Sequence, residues 1–216
     1  MTAGDSSSWD DLFHKDLIPQ VLSHVIGAWG NMVKPGVDDH EDDISVKLYA
    51  ALLRSKDRQR HMFLIDYQSV EVDVDLDKEI GRKDIVFRPT LSDERVYFCL
   101  EAKRLNAVVS GIRRSLADEY VKEGMQRFVD GKYSRFVSHG GMLAYVLDGQ
   151  ITRAIKNVEN NIRTHRKNLG MDDNGELVAS TIRPDDPDCR ESSHRRMCEP
   201  GMFCIHHLFV GPPSMN

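Results

Sequence analysis

A chain of 216 residues with 40% apolar and 29% charged residues has the balance of one globular domain and is long enough to bury a sizeable core. No apolar run approaches the roughly 18 residues that span a membrane, and the start MTAGDSSSWDD is acidic where a signal peptide is positive, so a cytoplasmic protein is expected. The net charge of -5 is uneven: residues 1–100 hold 12 Lys+Arg against 19 Asp+Glu, and residues 101–170 hold 13 against 7, a balance that suits a polyanionic substrate as well as plain basic helices.

In chain order, residues 12–29 carry apolar side chains at helical spacing, interrupted by Pro19 and closed by Gly30 and Pro35-Gly36, as an N-terminal helical extension (1–36). The acidic run 38–43 leads into Ile44, Val46, Leu48, Tyr49, Leu52 and Leu53, an amphipathic helix whose acids suit its positive end. Residues 62–74 alternate as a strand, and residues 83–88 and 95–100 form two more around Pro89, Ser92 and Asp93. A helix is expected over 112–129, a short apolar strand over 141–147, a long helix over 151–169 and further strands over 176–182 and 203–210. Residues 185–198 read as a polar loop. The series has no linker or repeat, so one α/β domain is expected, with a central mixed sheet flanked by helices.

The chemistry lies in GRKDIVF and YFCLEAKRL. If the hairpin centres on Ser92 and Asp93, residues summing to about 185 face each other, which sets Asp84 opposite Glu101, and period-2 alternation puts Lys103 on the face of Glu101. Opposed carboxylates repel unless a divalent cation bridges them. Mg²⁺ takes such oxygen ligands together with water and substrate phosphate, and Mn²⁺ is a substitute. A neighbouring lysine can orient or deprotonate the attacking water and offset phosphate charge. The plain alternative is a surface hairpin with an ordinary Glu/Lys pair.

These two segments resemble the core motif of the PD-(D/E)xK nuclease superfamily, whose restriction-endonuclease-like core runs helix, three meandering strands, helix, strand. The resemblance covers residues 41–147, leaving 148–216 as a C-terminal helix and strands, and it departs at the Pro position, where Lys83 precedes Asp84. YVKEGMQRFVDGKYS and SSHRR…FCIHHLF resemble a small bacterial subgroup. The resemblance implies hydrolysis of phosphodiester bonds in nucleic acid, DNA before RNA, with Asp84 and Glu101 as metal ligands and Lys103 as activator. It also implies a glutamate from the first core helix near the metal, for which Glu41 is the candidate, with Asp42 and Asp43 equally available. Defence against foreign DNA is the implied role, and the competing reading is a non-catalytic subunit or binding scaffold of a larger complex. With no sequence-reading domain in view, a protein partner would supply targeting; a homo-oligomer stays open.

Four basic residues of the long helix, Arg153, Lys156, Arg163 and Lys167, fall opposite its apolar face and can contact phosphates or simply meet solvent. His194, Arg195 and Arg196 on the polar loop form a second phosphate-contacting set or an exposed charge cluster. Gln126 stands on the second helix, where the resemblance allows a polar residue near the lysine, and Tyr133 can stack or hydrogen-bond near substrate; helix surface and packing are the plainer readings. Cys189, His194, Cys198, Cys204, His206 and His207 are metal-ligand types without a CxxC knuckle; core packing in a strand accounts for Cys204 and His206, and structural zinc is the weaker reading. No G-x-S-x-G, P-loop, G-x-G-x-x-G or H-E-x-x-H is present, which leaves lipase-like hydrolases, P-loop NTPases, dinucleotide enzymes and zincins without a foothold.

Overall fold

The computed structural model describes residues 17–55, 61–73, 76–90, 95–172, 175–197 and 201–212. Helices α1 (Ile18–Asn31) and α2 (Glu41–Arg54) precede a meander of β1 (Phe63–Asp73), β2 (Lys78–Pro89) and β3 (Phe98–Leu105). A small hairpin, β4 (Ala107–Val109) and β5 (Ile112–Arg114), leads to the helical run 117–129 (α3), then β6 (His139–Val146) and α4 (Ile151–His165). Strands β7 (Val178–Ala179), β8 (Cys189–Arg195) and β9 (Met202–Val210) complete the order. One mixed seven-stranded sheet, β1-β2-β3-β6-β9-β8-β7, forms the centre, with β3, β6 and β9 parallel and the outer pairs antiparallel. This is the expected α/β class with a mixed sheet between helices.

Two apolar layers close on this sheet. On one face α1 and α2 bury Ile18, Val21, Val25, Trp29, Ile44, Leu48 and Leu52 against Phe87, Phe98 and Tyr145. Trp29 stacks on Tyr145 at 5.5 Å, so α1 is built into the core. Within 12–29, the part before residue 17 lies outside the described residues. On the other face α3 and α4 bury Tyr120, Val121, Met125, Phe128, Ala154, Val158 and Ile162 against Val86, Cys99, Met142 and Phe209. Close approach is required where α3 crosses the sheet: a Cβ on Gly140 would stand 2.6 Å from Phe128 Cε1. No helix among the described residues is long and apolar enough to cross a membrane.

Three expected elements change. The helix expected over 112–129 begins at Ala117, because Ser110 (φ 51°) and Gly111 (φ 77°) turn the chain into a hairpin and pair Val109 with Ile112. Its middle, Tyr120–Met125, is π-helical. The strand expected over 176–182 shrinks to Val178–Ala179, since Thr181 N–H bonds the Glu191 carboxylate (2.7 Å) and Ser180 Oγ receives Ile182 N–H (3.3 Å). The polar loop over 185–198 is instead largely β8, paired to β9 from Cys189↔Leu208 to Arg195↔Met202. Its polar residues are buried because they satisfy one another: Ser192, 1% exposed, bonds both His194 and His207.

Candidate active site

β2 and β3 pair as Ile85↔Leu100, Val86↔Cys99 and Phe87↔Phe98, a register sum of 185 as read from the sequence. The ladder stops there. Ala102 N–H, next in line to bond β2, donates instead to Asp84 Oδ2 at 2.8 Å, so the two strands part like a fork and the Asp84 carboxylate occupies the opening. Glu101 and Lys103 lie on β3 at the same opening, on the face toward α3.

α2 and α3 complete the arrangement. Glu41, in the first turn of α2, receives Lys103 Nζ on Oε1 (2.9 Å) and Arg104 N–H on Oε2 (2.9 Å). Asp42 and Asp43 are exposed, so of the three acids Glu41 is the one the fold carries to the fork. Gly124 lets α3 lie against β6, where a Cβ would collide with Met142 Cε, and leaves Lys103 Cγ at ordinary contact distance, 3.5 Å. That helix delivers Arg127, which the sequence does not single out. Its Nη1 donates to Glu101 Oε1 (2.6 Å) and to Tyr133 Oη (3.1 Å), and Tyr133 donates to Arg82 C=O (2.5 Å), tying α3 to β2. The only sequence signal for Arg127 was a cation in a helix that had to pack on an acidic strand. Gln126, beside it, points away and bonds Asp130 and the Asn168 carbonyl.

The Glu101 carboxylate is 1% exposed and lopsided. Oε1 takes Lys103 Nζ (3.0 Å) as well as Arg127, while Oε2 is buried with no hydrogen-bond partner among the described residues. Burial first, then the charge of Asp84, pushes the Glu101 carboxyl up to about 7, against the opposing pull of Lys103 and Arg127. Burial raises Asp84 too, with Glu41 adding to it. For Lys103, burial works to lower the ammonium, but Glu101, Glu41 and Asp84 outweigh it and the net shift is upward. Lys103 therefore keeps its proton in this arrangement and offers N–H donors and charge, not a lone pair.

An orphaned buried carboxylate oxygen beside a second raised carboxylate is a donor set for a hard divalent cation. Asp84 and Glu101 are the residues that fit Mg²⁺ or Mn²⁺. A concavity of about 720 Å³ lies elsewhere, between α1 and α2, with Gln20, His24 and Arg54 on its wall and none of Asp84, Glu101, Lys103 or Glu41.

The remaining candidates separate. The helix expected over 151–169 ends at His165: Arg153, Lys156 and Arg163 are exposed along α4 with Asn160 between them and Lys167 is exposed in the turn beyond its end, while Ala154, Ile155, Val158, Ile162 and, in that turn, Leu169 are buried. His194, Arg195 and Arg196 do not form one set. His194 is fully buried and donates from Nδ1 to Leu169 C=O (2.8 Å). Arg196 bonds the Ser134 and Val137 carbonyls and covers the Phe203 ring at 4.1 Å, and Arg195 is exposed 3.5 Å from Asp172. The six metal-ligand types likewise split: Cys189, Cys204 and His206 lie on one face of the sheet, His194 and His207 on the other, and Cys198 lies outside the described residues. Compared with family models, curated proteins and solved structures, the chain matches none.

Proposed function

We propose that the protein is a metal-dependent nuclease with a restriction-endonuclease-like core, hydrolysing phosphodiester bonds in nucleic acid, DNA ahead of RNA. The observation that carries this reading is the convergence of Asp84, Glu101, Lys103 and Glu41 on one strand fork, with Glu101 Oε2 left without a donor among the described residues. Supporting it is the order α2, β1-β2-β3, α3, β6, with β6 parallel to β3.

Asp84 and Glu101 would hold the Mg²⁺, which when bound supplies a water of lowered pKa and neutralises phosphate charge. Lys103, held by Glu41 and Glu101, orients the attacking water and faces the charge that builds on phosphorus. The water oxygen bonds to phosphorus, the P–O bond to the departing sugar breaks, and the proton ends on the leaving hydroxyl. The exposed stripe Arg153, Lys156, Arg163 and Lys167 suits backbone contacts without reading sequence. Defence against foreign DNA enters through the family resemblance alone, and a targeting partner because no sequence-reading domain is recognisable in the sequence.

Arg127 favours one competing reading. By sharing Glu101 Oε1 with Lys103 it neutralises the acid without a metal, as a subunit that kept the fold and lost catalysis would do. Incubating the protein with supercoiled plasmid, linear duplex, single-stranded DNA and RNA in Mg²⁺, Mn²⁺ or EDTA separates the two. Metal-dependent cleavage abolished in folded Asp84→Ala, Glu101→Ala and Lys103→Ala is the expected result. Cleavage that persists in EDTA or in Asp84→Ala refutes the assignment, and absence of cleavage on every substrate favours the subunit.

A further inference from the structure

The sheet face opposite Glu101 and Lys103 carries a second cluster. Period-2 alternation sets Cys204 and His206 on that face of β9. The parallel register puts His139, the first residue of β6, beside Cys204, and the antiparallel register puts Glu191 of β8 beside His206. Nitrogens of His139 and His206 and the Cys204 sulfur lie within 4.8 Å of one another. We propose that His139, Cys204 and His206 bind a divalent transition metal of intermediate softness, zinc before others, separate from the carboxylate site.

Donor chemistry and geometry both point this way. Two imidazoles and a thiolate suit zinc, whereas Mg²⁺ takes oxygen. Nitrogens about 2.0–2.1 Å from a tetrahedral zinc stand roughly 3.3 Å apart; His139 Nδ1 and His206 Nε2 are 3.2 Å apart. Glu191 supplies the outer partner that a ligating histidine needs. Its Oε1 lies 3.3 Å from His206 Nδ1, near enough for its charge to favour a proton on that nitrogen and leave Nε2 to the cluster, although the two form no hydrogen bond in this structure. Ser180 Oγ (2.9 Å), Thr181 N–H (2.7 Å) and Thr181 Oγ1 (3.1 Å) fix that oxygen in turn.

Loading balances simply. His139 moves its proton from Nδ1 to Nε2, and the Cys204 thiol releases one proton to solvent. His139 and Cys204 are only half-buried, which leaves the ion a way in, and three protein ligands leave a fourth position for water or another donor. The bound ion would staple the starts of β6 and β9 together and, through Glu191, engage β8.

The test uses the full chain stripped by chelator and titrated with Co²⁺ as a spectroscopic substitute for zinc. A thiolate-to-cobalt charge-transfer band that saturates at one thiolate-bound Co²⁺ per chain is expected, any ion held by the carboxylates adding nothing to it, and Zn²⁺ should displace it. Cys204→Ser should lose the band, and His139→Ala should bind at least tenfold more weakly. Glu191→Gln should weaken binding about 10–100-fold, as loss of an outer carboxylate does. Asp84→Asn should leave the band unchanged. Circular dichroism checks each fold, and the half-buried His139 provides the variant least dependent on the core. No band, a band retained in Cys204→Ser, or a band lost in Asp84→Asn overturns the proposal.

Discussion

Glu101 makes the metal-free protein less stable as pH rises, and the size of the effect follows from its burial. The carboxyl titrates at about 7 in the fold against 4.5 as an ordinary glutamate, and at 1% exposure solvent screening discounts little of the shift. Between those values the folded chain binds more protons than the unfolded one. The stability Glu101 contributes is therefore fully present below pH 4.5 and lost as pH climbs through 7. A shift of this size corresponds to about 3 kcal/mol, or roughly 6–12 °C in Tm for a chain of this length. Glu101→Gln mimics the protonated acid at every pH. With EDTA present it should match wild type near pH 4, below the ordinary glutamate value, and exceed it by about 3 kcal/mol at pH 8 in urea unfolding. Added Mg²⁺ should shrink the gap at pH 8, because an ion that binds only the folded wild type stabilises it. A difference between the two proteins that does not change with pH would refute the reasoning and remove Glu101 as a strained acid.

Two further outcomes follow from other groups. Burial lowers His194 to about 4 and His207 well below its ordinary range; as neutral groups they give stability that is present above about pH 6.5 and lost as pH falls through 4. In the double variant Glu101→Gln, Asp84→Asn, where both raised carboxyls are gone, unfolding free energy should drop by about 3 kcal/mol from His194 alone on acidification through that window, and a flat profile would take the histidines out of the account. For the stripe on α4, replacing Arg153, Lys156 and Arg163 with Ala should weaken binding to all sequences alike and flatten the salt dependence by about 0.9 per lost contact; unchanged affinity and slope would hand this face to solvent or a protein partner.

What was legible in the sequence lay within one hairpin or one helix. The Ile85↔Leu100 register and the two faces of α4 follow from turn position and periodicity, since both are set by neighbours in the chain. β8 was invisible for the opposite reason. CRESSHR shows little apolar alternation, because Glu191, Ser192 and His194 are buried by bonding Thr181, His207 and Leu169, partners no local pattern reveals. The same limit runs through both candidate sites. Asp84, Glu101 and Lys103 share a hairpin and could be read together, but Arg127 reaches Glu101 across 26 residues only because α3 returns over β3 on its way to the parallel strand β6. His139 meets His206 across 67 residues because β6 and β9 run parallel in one register. A parallel pairing imposes long excursions, so the residues it joins carry no spacing to recognise. Asp84 and Glu101 therefore mark the part of the candidate sites visible within one hairpin, and Arg127 and His139 mark what the crossovers add.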